Sequence, residues 1–145
     1  MNTNLNLQAR FNMGYFKIGG TDIGIGNVIF EIDENNCFDL TIDGNEEVIK
    51  KVAGYNNQKE YDESEWNWMS APVSVYFSGI PIIQSDNVEI NIDEELLDKY
   101  DVALYVNEHW DIFGSLIITN EHFRLNTKAY IGGEMYPVEI FVERT

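Results

Sequence analysis

The sequence predicts a mainly β fold, an antiparallel sandwich or strongly curved sheet of about eight strands with two short helices. Three observations predict it. Apolar and polar residues alternate with a period of two through most of the chain, as in strands with one dry and one wet face. Short stretches rich in β-branched and aromatic side chains are separated by clusters of Gly, Asn and Asp, which are turn signals. The 145 residues are 44% hydrophobic and 13% aromatic, enough for one core without disulfides or metals. Residues 1–145 read as a single domain, with the polar, Asn-rich residues 1–9 as a flexible or edge segment.

The elements follow in order. Phe11 to Ile18 reads as a first strand, with Phe11, Met13 and Tyr15 on one face. Gly19-Gly20 suits a tight turn, because glycine takes positive φ without a Cβ clash. Asn27 to Asp33 places Val28, Phe30 and Ile32 on one side, and Glu34-Asn35-Asn36 turns the chain. Cys37 to Asp43 alternates Phe38, Leu40 and Ile42 with Asp39, Thr41 and Asp43. After Asp43-Gly44-Asn45, residues Glu46 to Ala53 read as a short helix that stops at Gly54. Tyr55 to Asn67 reads as a loop. Pro72 to Ile83 holds a strand with Val73, Val75 and Phe77 on one face, and Pro81 ends it or confines it to an edge. Val88 to Ile92 alternates again. Asp93 then caps a helix from Glu94 to Tyr100, its carboxylate accepting backbone N–H groups. Strands at Val102 to Val106, Gly114 to Thr119, His122 to Tyr130 and Tyr136 to Glu143 complete the chain, with Gly132-Gly133 joining the last two.

Charge is the most unusual global property. Nine Lys plus Arg stand against 25 Asp plus Glu, a net −16. A domain of this size needs roughly 2–8 units for solubility, and excess like charge opposes compaction. Solubility or a salt-rich habitat explains an acidic surface; so does attraction of a basic partner. Nucleic acid and anionic membranes are disfavoured, because both require basic patches. The single Cys37 excludes an internal disulfide framework. The chain opens without a basic region followed by an apolar run, and it has no transmembrane-length apolar stretch, so a cytoplasmic protein is expected.

The chemistry-bearing residue types form no known motif. His109, in Glu108-His109-Trp110-Asp111, and His122, after Glu121, read as surface or turn histidines, and two histidines without a spaced His or Cys pair argue against zinc. Cys37 beside Phe38 reads as a small buried hydrophobe. Asp33-Glu34-Asn35-Asn36 and Asp93-Glu94-Glu95 lack the alternating ligands and central glycine of a calcium loop. Gly19, Gly20, Gly24 and Gly26 lack the Lys-Ser/Thr of a phosphate loop. No cofactor is called for and no catalytic residue is assigned.

The segment from Glu60 to Trp68 carries the most weight. Glu60, Asp62, Glu63 and Glu65 sit among Tyr61, Trp66 and Trp68 within nine residues. One reading is a solvated loop with a tryptophan tucked into the core. The other is a partner-binding loop, in which Tyr and Trp supply rigid anchors and the carboxylates complement Lys and Arg. Trp110 and Asp111 extend this expected surface, with Tyr105 and Tyr130 as further candidates.

With these features the chain resembles the immunity proteins encoded beside bacterial polymorphic toxins, including those of contact-dependent growth inhibition systems. The resemblance rests on a small, acidic, β-rich domain without motifs. It rests also on the stretch Asp22-Ile23-Gly24 through Phe30-Glu31-Ile32 to Phe38-Asp39-Leu40-Thr41-Ile42-Asp43-Gly44. It implies a non-enzymatic protein that neutralises a cognate toxin, often a basic nuclease, by stoichiometric binding. It carries over no binding residue. Two other classes stay open: a glycan-binding β-sandwich using Trp66, Trp68 and Trp110, and a small enzyme using paired carboxylates such as Glu63 and Asp111.

Overall fold

Eleven strands and two helices make up the described residues of the computed structural model, 14–53, 73–82, 87–106, 108–131 and 133–143. In chain order they are β1 (Gly14–Ile18), β2 (Thr21–Asp22), β3 (Ile25–Ile32), β4 (Cys37–Gly44), α1 (Glu46–Ala53), β5 (Val73–Pro81), β6 (Asn87–Ile92), α2 (Glu94–Lys99), β7 (Asp101–Val106), β8 (Glu108–Trp110), β9 (Ile112–Thr119), β10 (His122–Ile131) and β11 (Glu134–Glu143). A six-stranded sheet runs β2-β1-β11-β10-β9-β6, and a five-stranded sheet runs β3-β4-β5-β7-β8. Neighbouring strands pair antiparallel in both sheets. The fold is therefore mainly β and sandwich-like. Among the described residues no helix is long and apolar enough to cross a membrane.

Alternation sets which side of each strand is dry. Val73, Val75 and Phe77 of β5 are buried, as are Phe38, Leu40 and Ile42 of β4 and Val28 and Phe30 of β3. From the other sheet Phe16, Leu116, Phe123, Leu125, Val138 and Ile140 meet them. The Phe30 and Phe123 rings touch edge to face across the two sheets, centroids 5.1 Å apart. Phe38 continues the aromatic seam, 5.8 Å from Phe30 and 6.4 Å from Phe77. On β1 the core side is Phe16 and Ile18, and Tyr15 looks outward.

Local chemistry fixes the corners. Ile18 pairs directly with Thr21, so Gly19-Gly20 is a two-residue hairpin loop, and both glycines have positive φ (60° and 85°). That is the type I′ geometry whose twist matches the flanking strands. Asp33 closes the β3–β4 turn by accepting from the backbone N–H groups of Asn35 (2.8 Å) and Cys37 (3.0 Å). Asn45 caps α1 through Glu47 N (3.0 Å) and Val48 N (3.2 Å). Asp93 caps α2 through Leu96 N (2.9 Å). Pro81 is the last residue of β5, an interior strand. The strand count exceeds the expected eight chiefly because β2 and β8 contain only two and three residues, too few for a periodic signal.

Candidate functional site

The outward side of the five-stranded sheet carries a continuous set of side chains whose register is fixed by the pairing. Ile29, Thr41, Tyr76 and Ala103 form one row across β3, β4, β5 and β7. Asp43, Ser74, Tyr105 and His109 form the next, across β4, β5, β7 and β8. On the other side of the first row, Glu31 stands opposite Asp39 and Ser78 opposite Asp101. An apolar and aromatic middle is thus bordered by Glu31, Asp39, Asp43 and Asp101.

Tyr76 joins this middle to its border. Its hydroxyl donates to Asp101 Oδ1 at 3.1 Å and lies 3.0 Å from His109 Nδ1. A phenol has one proton. With that proton on the Asp101 side, the phenol oxygen accepts from His109 Nδ1–H, and the Nε2 lone pair points elsewhere. The His109 ring makes T-shaped contacts with Tyr76, centroids 5.8 Å apart, and with Tyr105, 5.2 Å apart. Burial pushes the Tyr76 phenol above its ordinary value, and the hydrogen bond and negative charge of Asp101 add to this. Ala103, opposite Tyr76, is buried beneath the group.

The electrostatics of the two sheets differ. The strands of the five-stranded sheet contain five carboxylates and no Lys or Arg. Those of the six-stranded sheet contain five carboxylates and three cations: Lys17, Arg124 and Lys128. Two of these cations lie over rings of their own sheet, Lys17 over Tyr15 at 4.6 Å and Arg124 over Phe141 at 4.9 Å. On the five-stranded side the Asp39 carboxylate accepts from Gly79 N at 2.7 Å. Burial raises the Asp43 carboxyl above its ordinary value. Asp43 also lines a cleft of about 340 Å³ with Asn45, Glu46, Glu47 and Val73, which prolongs the acidic border to the start of α1.

Of the residues expected from sequence to bind a partner, Glu60, Tyr61, Asp62, Glu63, Glu65, Trp66 and Trp68 lie outside the described residues. So does Glu63 of the carboxylate pair. Trp110 sits on β8 opposite the buried Leu104, half-buried and packed against the core. Its Nε1–H donates to Val106 O at 2.9 Å. It therefore faces inward, away from its neighbour His109. Asp111 is exposed between β8 and β9. Tyr105 and Tyr130 look out from different sheets, so they do not share a surface. His109 is exposed, as expected, yet it belongs to a short strand and to the Tyr76–Tyr105 group. His122 is half-buried against Phe141 at 5.3 Å. Cys37 is half-exposed at the start of β4, because it occupies the outward-facing phase next to the buried Phe38. Among the described residues no group of three or more His, Cys, Asp or Glu is placed to hold a metal ion.

The arrangement suits recognition of positive charge: rigid rings in the middle, carboxylates around them, and no cation on the same strands to neutralise them. A scan against protein-family models returns no match, and comparisons with curated proteins and with solved structures return none either.

Proposed function

We propose that this protein is a non-enzymatic inhibitor of the immunity type. In this reading it binds a basic protein, a toxin or nuclease domain, through the outward side of its five-stranded sheet. The observation that carries the reading is the Glu31–Asp39 pair, two like charges directly opposite on adjacent strands that bear no Lys or Arg. Like charges so placed are unfavourable for the sheet itself. A surface that retains them beside exposed Ile29 and half-buried Tyr76 and Tyr105 has the anatomy of an interface, with aromatic anchors inside a charged border. The remaining acidity steers a basic body toward it.

A toxin domain encoded beside this gene is expected, and the test is co-expression with such a domain, followed by measurement of the complex. Growth rescue and a one-to-one complex are expected, with an association rate that falls steeply as salt is added. Reversal of Glu31, Asp39 and Asp101 to Lys is expected to abolish rescue. Reversal of Asp62, Glu63 and Glu65 to Lys tests the segment before β5 in the same assay. A complex whose association is insensitive to salt and to the first triple variant would overturn the assignment of this face.

A further inference from the structure

We infer that the anchor this face takes from its partner is an arginine side chain, seated against Tyr76, Tyr105 and His109 with its guanidinium on Asp101. The inference rests on reading the face as the binding surface for a basic protein, and it names the chemistry of the contact. Two features of the cluster select arginine over lysine, and a third calls for a cation of either kind.

The first is shape. The rings of Tyr76 and Tyr105 are both steeply inclined to the His109 ring, at 85° and 67°, and the small, buried Ala103 is the cross-strand partner of Tyr76. Flat aromatic walls accept a planar, weakly hydrated cation by stacking, whereas an ammonium is compact and holds its water. The second is the carboxylate. Asp101 Oδ1 is fixed by the Tyr76 hydroxyl, so the group is held in place before a ligand arrives. A carboxylate has about four lone-pair sites, and those remaining match the fork of N–H donors on a guanidinium.

The third feature is how the same chain treats its other aromatic surface. On the six-stranded sheet, Tyr15 and Phe141 are covered by the chain's own Lys17 and Arg124. The five strands around Tyr76 and Tyr105 supply no Lys or Arg for that purpose. The equivalent cation is supplied by the partner.

The experiment uses the full chain with two probes of equal charge, blocked hexa-arginine and blocked hexa-lysine peptides. Binding is followed by titration calorimetry and by NMR shifts. Hexa-arginine is expected to bind roughly tenfold more tightly and to move the resonances of Tyr76, Tyr105 and His109. The preference is expected to collapse in Asp101→Asn. Tyr76→Phe, which keeps the ring but frees Asp101, is a second variant, and melting curves establish that both variants are folded. Equal affinities with both peptides mapping to this face would overturn the arginine anchor and leave the basic-partner reading standing. Failure of both peptides to perturb this face would overturn both.

Discussion

Glu31 and Asp39 are cross-strand partners at the edge of the five-stranded sheet, so two carboxylates occupy one pair position between β3 and β4. Their repulsion opposes folding and is relieved by reversing Glu31, which leaves the Asp39 carboxylate on Gly79 N. Glu31→Lys is therefore expected to stabilise the domain by about 0.2–1 kcal/mol while weakening its complex with a basic partner. Urea unfolding and binding measured on the same variant check this. Lower stability together with intact binding would count against both the pairing and its use.

Asp43 provides a pH test. Its folded-state pKa is raised from 3.8 by burial, so the folded protein holds this proton more tightly than the unfolded chain. The stability contributed by the site is fully present below pH 3.8 and is lost as pH rises through the folded-state value. Asp43→Asn removes that loss. The variant is expected to unfold at higher urea than the parent at pH 7, and the two should converge on acidification. A difference that does not change with pH would mean that the carboxyl is not perturbed.

Tyr76 titrates at the alkaline end. Burial, then Asp101, raises its phenol above 10.0, so the stability it contributes is present below pH 10 and fades as the phenol ionises. Ultraviolet titration of the parent minus Tyr76→Phe is expected to isolate one tyrosine with a late transition. Asp101→Asn should bring that transition down only part of the way, because burial is the larger cause.

Trp110 separates structure from recognition. Its indole packs inward and its N–H is spent on Val106 O. Trp110→Phe should cost about 0.5–1.5 kcal/mol for the lost hydrogen bond and leave partner affinity unchanged. A loss of affinity without a loss of stability would return Trp110 to the binding surface.

Much of the fold is legible in the sequence, because its signals are local. The period-two pattern from Cys37 to Asp43, the helix from Glu46 to Ala53 and the Asp93 cap each depend on residues within one or two turns of chain. The site is less legible for the opposite reason. Tyr76 and His109 are 33 residues apart and meet only because β5, β7 and β8 lie side by side. Alternation assigns residues to two faces, but it does not say which face is dry when both carry aromatics. Trp110 and His109, adjacent on β8, point to opposite sides because of the pleat, and only the pairing of Trp110 with the buried Leu104 shows which side is dry. β8 itself has three residues and no apolar period.

The uneven distribution of strand-borne cations has a consequence for encounters in solution. With Lys17, Arg124 and Lys128 all on the strands of one sheet and only carboxylates ionised on the described strands of the other, those strands contribute a dipole across the thickness of the domain. A cationic body approaching within about 8 Å at physiological ionic strength exerts a torque as well as a pull, turning the anionic layer toward itself. That contribution favours encounters in which the anionic sheet leads.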